Sequence, residues 1–82
     1  MKVKIYTTPW CAFCKAEKVW LDEHKIAYEA VNAEESQDKA EELFKVSGGG
    51  SVPFTLITRD DGTEEKILGF DQPKLAQILG VE

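Results

Sequence analysis

Thr7-Thr8-Pro9-Trp10-Cys11-Ala12-Phe13-Cys14-Lys15 carries both cysteines of the chain, two residues apart. Upstream of it, Lys2 and Lys4 alternate with Val3 and Ile5 as far as Tyr6, the period of a half-buried strand, and Thr7-Thr8-Pro9 ends that pattern. Downstream, Ala12 to about His24 is made of good helix formers, with Cys14, Lys18 and Leu21 on one stripe and Phe13, Ala16 and Trp20 on the adjacent one. The cysteine pair therefore stands at a strand-to-helix junction, and the rest of the chain is read outward from there.

Ile26 to Val31 forms the next strand candidate, with Ile26, Tyr28 and Ala30 on one face. Asn32 or Ser36 caps a second helix that carries Ala40, Leu43 and Phe44 at helical spacing and stops before Ser47-Gly48-Gly49-Gly50-Ser51. Phe54 to Thr58 is β-branched and aromatic, and Asp61-Gly62 signals a hairpin into a strand around Glu65 to Leu68. Asp71 is an N-cap, Pro73 lies in the first turn, and Leu75, Ile78 and Leu79 form an apolar face that Gly80 terminates. The order is β-α-β-α-β-β-α in a single domain spanning 1–82. A strand, crossover helix and strand imply a parallel pair, and the hairpin adds an antiparallel one, so the expected architecture is α/β with a small mixed sheet flanked by helices.

A chain of 82 residues buries roughly 60 to 65% of the surface its unfolded form exposes, so it must be compact. With 43% hydrophobic and 30% charged residues a packed core is expected. Ten Lys and Arg against fifteen Asp and Glu, formally −5, argue against a phosphate-neutralising surface, and nucleic acid is excluded as a partner. The chain contains no run of about 18 apolar residues, and MKVKIYTT lacks the pattern of a signal peptide. The expectation is a cytoplasmic protein without a membrane partner.

In that compartment lasting structural disulfides are uncommon, and a bridge between Cys11 and Cys14 closes too short a loop to restrain the unfolded chain much. A closed metal site needs further soft or imidazole ligands, and the only histidine, His24, is at the far end of the same helix, so no metal site is expected. Redox work suits the placement. At a helix N-terminus the Cys11 sulfur faces unpaired N–H groups and the positive end of the macrodipole, which stabilise thiolate over thiol, and Lys15 and Lys18 add positive charge. Cys14, one turn on and less exposed, is placed to attack a mixed disulfide formed at Cys11. Dithiol-disulfide chemistry outweighs the alternative of two small buried hydrophobes that happen to lie close.

KIYTTPWCAFCKAEK, SVPF and LGFDQPKL, taken in this order, resemble the active-site strand and helix, the loop before the third strand and the last strand-to-helix turn of the glutaredoxin family. The likeness is strongest to the small bacterial glutaredoxin-like redoxins, near the ribonucleotide-reductase type and the mycoredoxins. It implies a thioredoxin-like fold and a thiol-disulfide oxidoreductase that acts on protein disulfides or glutathione mixed disulfides, with Cys11 as nucleophile and Cys14 resolving. It implies a cis Pro53 against the cysteine pair, which aims the Val52 backbone at an extended substrate. It also implies that Gly69-Phe70-Asp71 holds the γ-glutamyl end of glutathione, for which helix N–H groups and the Asp71 carboxylate are chemically apt.

This chain has Thr8 where many glutaredoxins carry Lys, Leu68 and Gln72 beside the Gly-x-Asp turn, and Ala12 where dithiol members usually have Pro. The resemblance thus leaves three reductants: glutathione or another low-molecular-weight thiol, as co-substrate rather than bound cofactor, or a thioredoxin reductase. It implies a monomer; the rival is a dimer holding an iron-sulfur cluster through Cys11 and glutathione.

Trp10 and Phe13 flank the cysteines, where each serves either as part of an apolar rim for a docking protein or as core packing; Phe13 is expected to be exposed, and for Trp10 both readings stay open. Glu17, three residues after Cys14, is placed to take that residue's proton, but its simplest reading is a solvated side chain. His24 is read as a favourable partner of the helix dipole, too far along to serve the cysteines.

Overall fold

The computed structural model describes residues 1–81. The elements are β1 (Lys2–Thr7), α1 (Ala12–Glu23), β2 (Glu29–Asn32), α2 (Gln37–Ser47), β3 (Phe54–Thr58), β4 (Glu64–Leu68) and α3 (Gln72–Leu79). The sheet runs β2-β1-β3-β4, with β1 and β2 parallel and β1–β3 and β3–β4 antiparallel. The expected order and the mixed four-stranded sheet are both present.

β1 is central, and that changes its expected burial. Val3 and Ile5 lie on one face and Tyr6 on the other, and all three are buried, because each face is covered by helix. Over one face Val3, Ile57 and Ile67 pack with Trp20 and Leu21 of α1 and Leu75 of α3. Over the other, Tyr6 and Phe54 pack with Val31 of β2, with Ala33 just after it and with Leu43 of α2. A strand with only one face against a core keeps the clean alternation that Lys2 to Tyr6 suggests; a central strand does not.

Three local expectations are corrected. β2 begins at Glu29 rather than Ile26, and Val31 is its buried residue while Ala30 is exposed. Ile26 and Tyr28 still serve the core, packed from the loop against the α1 side. Phe44 is 60% exposed, its ring lying over Gly50, because α2 is an outer helix whose inward stripe is narrow and is filled by Leu43. In α1 the buried residues are Cys14, Glu17, Trp20 and Leu21, while Phe13 and Ala16 face outward.

The caps follow the local chemistry. Ser36 accepts from the Lys39 N–H at 3.3 Å, which makes Ser36 rather than Asn32 the cap of α2, and Gly48 at φ 75° closes that helix in the left-handed conformation. The hairpin turns at Arg59–Thr63, where Gly62 adopts φ 91° and the Asp61 carboxylate accepts from the Thr63 N–H at 3.0 Å. Among the described residues no helix is long and apolar enough to cross a membrane.

Candidate functional site

The register of the sheet decides what meets what. Tyr6 pairs with Phe54, and Phe54 pairs with Leu68, so the exit of β1, the start of β3 and the exit of β4 share one end of the sheet. That end gathers the Thr8–Cys14 segment, the Val52-Pro53 loop and the Gly69-Phe70-Asp71 turn. The Val52–Pro53 bond is cis, and the Gly69 N–H donates to the Pro53 carbonyl at 2.8 Å, which ties the second and third of these segments together. Gly69 holds φ 80°, a left-handed conformation that a side chain disfavours.

Cys11 is the N-cap of α1. Its backbone is extended at φ −84° and ψ 108°, its N–H donates to Thr8 O at 3.3 Å, and its Sγ accepts from the Cys14 N–H at 3.1 Å. A helix start turns unpaired N–H groups and the positive end of its dipole toward whatever occupies it, which suits an anion. Cys11 is partly exposed; Cys14, one turn in, is fully buried, and both are free thiols. Burial, first of all, and then the hydrogen bond with Cys11, push the Cys14 thiol up to about 12 against a lowering contact with the Thr8 backbone, and the charges of Cys11 and Glu17 add to the rise. One sulfur is thus reachable and the other is sealed and held protonated.

The remaining candidates divide. Phe13 is 68% exposed, as expected, and Trp10 is 75% exposed with its Nε1 donating to Glu34 at 2.9 Å, so both rings next to Cys11 in sequence are open to solvent rather than packed in the core. Lys15 is exposed on the first turn and Thr8 half-buried. Val52 is half-buried against the Tyr6 side of the core, and Pro53 is buried. Phe70 turns inward, its ring edge-on to Trp20 at 6.4 Å, so its side chain serves packing rather than the rim. Asp71 is exposed and caps α3, one carboxylate oxygen accepting from the Lys74 N–H at 3.2 Å. His24 sits at the C-cap of α1 against Trp20, with ring centroids 4.3 Å apart, away from the cysteines.

Glu17 departs most from expectation. It is not solvated but 0% exposed, and its Oε2 accepts a hydrogen bond from the hydroxyl of Thr55, also 0% exposed. Burial raises the Glu17 carboxyl and the Thr55 bond opposes the rise. Two facts of the sequence point to this placement in retrospect: Glu17 shares a helical stripe with Cys14 and Leu21, and Thr55 is the one polar residue inside Phe54-Thr55-Leu56-Ile57.

Comparison with known proteins agrees with this fold. The glutaredoxin family model matches residues 3–60. A glutaredoxin-like protein NrdH of Lactococcus lactis is 33% identical over 76 residues, 93% of this chain and 97% of the relative. Among solved structures, the thioredoxin-like protein BC3987 superposes with TM-score 0.80 at 30% identity, covering 94% of this chain and 99% of its own. The NrdH-redoxin of Escherichia coli superposes with TM-score 0.74 at 26% identity, covering 96% and 95%. With a thioredoxin-like fold and this match over most of its length, the chain belongs to the glutaredoxin family of thiol-disulfide oxidoreductases.

Proposed function

We propose that the chain works as a dithiol redoxin in which Cys11 attacks and Cys14 resolves. The observation that carries this reading is the asymmetry of the pair: Cys11 is reachable and caps the helix, whereas Cys14 is fully buried 3.1 Å behind it, measured from its amide to the Cys11 sulfur. Cys11 thiolate attacks a substrate disulfide, forming a mixed disulfide and releasing the first substrate thiolate. Cys14 then attacks the Cys11 sulfur, the intramolecular disulfide forms, and the second substrate thiolate leaves with the electron pair. Two electrons pass to the substrate, and an external thiol or a reductase restores the dithiol.

The docking surface in this reading is the Trp10–Phe13 rim together with the backbone at Val52, which an extended substrate pairs with as a short added strand. For the reductant, Gly69 to Asp71 offers a small thiol the first N–H groups of α3 and the exposed Asp71 carboxylate. The E. coli relative is described as having a thioredoxin-like activity profile, which supports a reductase as the alternative donor.

The test follows release of a glutathionylated peptide with glutathione as recycling thiol, for the parent, Cys11→Ser and Cys14→Ser. Cys11→Ser is expected to be inactive. Turnover by Cys14→Ser identifies a glutathione-using enzyme in which Cys11 suffices; a parent that glutathione cannot recycle is fed by another donor. A Cys11→Ser chain that retains activity refutes the reading.

A further inference from the structure

Glu17 has no part in the exchange as written, yet among the described residues it is the one buried acid. Its Oε2 is engaged by Thr55, and its Oε1 is buried with no hydrogen-bond partner. A buried polar atom without a partner destabilises the fold, so a purely structural stripe is better served by leucine or methionine here. What Glu17 does have is position. It follows Cys14 by one helical turn on the same buried face, and side chains three apart are neighbours, with Cβ atoms roughly 5–6 Å apart. Cys14 faces a matching difficulty, since its thiol is sealed from water and must lose a proton before it can attack.

We propose that Glu17 is the proton acceptor for Cys14 in the resolving step, with Thr55 as its positioning residue. The inference rests on the reading of Cys14 as resolver. The Cys14 proton passes to the Glu17 carboxylate; the Cys14 thiolate attacks Cys11 Sγ in the mixed disulfide; the Cys11–Cys14 bond forms as the bond from Cys11 to substrate breaks, and the substrate thiolate leaves. The proton stays on Glu17, where burial favours the neutral acid, and returns to Cys14 when the disulfide is reduced again. Thr55 reaches Glu17 because it pairs with Ile5 and Ile67 in the middle of the sheet and points to the α1 face.

The groups around this pair are few. On α1 they are Cys11, Cys14 and, beyond Glu17, the Trp20 indole with the His24 ring tilted against it; from the preceding loop, the Thr8 backbone; from β3, the Thr55 hydroxyl. The residues that β1, β4 and α3 bring to this side of the core, Val3, Ile67 and Leu75, are apolar.

The experiment mixes reduced protein with one equivalent of an aromatic disulfide whose released thiolate is coloured. The first equivalent of colour reports attack by Cys11, the second resolution by Cys14. For Glu17→Gln the first phase is expected at the parent rate and the second at least about a hundredfold slower at pH 7, the scale of general base catalysis. Its rate should then climb tenfold per pH unit as hydroxide takes over. Thr55→Val, which removes the lowering bond on Glu17, should move the pH at which the second phase levels off upward and leave the first phase alone.

A parent-like second phase and pH profile in Glu17→Gln overturns the proposal, and so does equal slowing of both phases. A readout on the parent needs no variant: its oxidised-minus-reduced infrared difference spectrum, with glutamate labelled by carbon-13, should show the carbonyl stretch of a newly protonated carboxyl, and its absence overturns the proposal. Cys14→Ser separates the two layers. If it keeps the second phase the dithiol reading itself fails, and if it loses that phase while Glu17→Gln keeps it, only the role of Glu17 fails.

Discussion

The Cys14 thiol should remain protonated far above neutral pH, and the size of that effect governs the resolving step. With its thiol pushed up to about 12, Cys14 is ionised to only about one part in 10⁵ at pH 7, against about one in 10² for a thiol at the reference value of 9.0. The more basic thiolate is the better nucleophile, which returns a factor of about 20 for a Brønsted slope of about 0.45 over three pH units. The net deficit against an ordinary thiol is about fiftyfold, inside the range that a placed proton acceptor can supply. The perturbation is pH itself. Reduced protein labelled with carbon-13 at cysteine Cβ is titrated by NMR, with the Cys14 resonance assigned by its loss in Cys14→Ser. The Cys14 signal should not shift between pH 6 and about 10. A titration step of that resonance near the ordinary thiol value would refute the argument, and with it the claim that burial outweighs the other influences on this sulfur.

Replacing Thr55 by Val leaves a buried carboxylate with no donor, at a cost of about 1–3 kcal/mol in stability by urea denaturation. Because Glu17 is held above its usual value, the stability linked to it is present below the ordinary carboxylate range and lost as pH rises through the folded value; the Thr55→Val penalty should therefore grow from pH 4 to pH 8. Tyr6 donates to Glu42 at 2.5 Å, and Tyr6→Phe should cost about 0.5–1.5 kcal/mol at pH 7. Glu42 is held below its usual value by Tyr6 and then Lys4, so its stability is present above the ordinary carboxylate range, and that cost should shrink as pH falls through the folded value. Asp71→Ala should lower stability by about 1 kcal/mol through loss of the α3 cap, while Asp71→Ser keeps the cap; a KM for glutathione that rises in both variants assigns the carboxylate to the thiol, and a KM unchanged in Asp71→Ser leaves it a cap alone. Leu75→Ala, at a fully buried position joining α3 to the sheet, should cost about 2–5 kcal/mol, seen as a lower urea midpoint.

The sequence shows the order of elements because each is marked locally: alternation in β1, the glycines after Ser47, Asp61-Gly62 in the hairpin, and Asp71 with Pro73 at the start of α3. The junction that carries Cys11 and Cys14 is legible for the same reason. What local pattern does not carry is which faces the sheet order covers. Tyr6 is buried because β1 is central, Phe44 is exposed because α2 is an outer helix, and Ile26 packs from a loop although its neighbours read as a strand. Glu17 is the sharpest case. A glutamate beside lysines on an amphipathic helix reads as solvated, and only the register that sets Thr55 opposite α1 supplies the donor that lets it be buried. Phe70 likewise is the middle residue of the predicted ligand turn, while its side chain is claimed by Trp20.

The division of labour between the two sulfurs is tested most directly by trapping. Cys14→Ser, incubated with a disulfide-containing protein such as insulin and digested under non-reducing conditions, should accumulate a one-to-one mixed disulfide that mass spectrometry places at Cys11, whereas Cys11→Ser accumulates none and reduces nothing. A Cys11→Ser chain that still cleaves the substrate disulfide, forming its adduct at Cys14, would contradict the account.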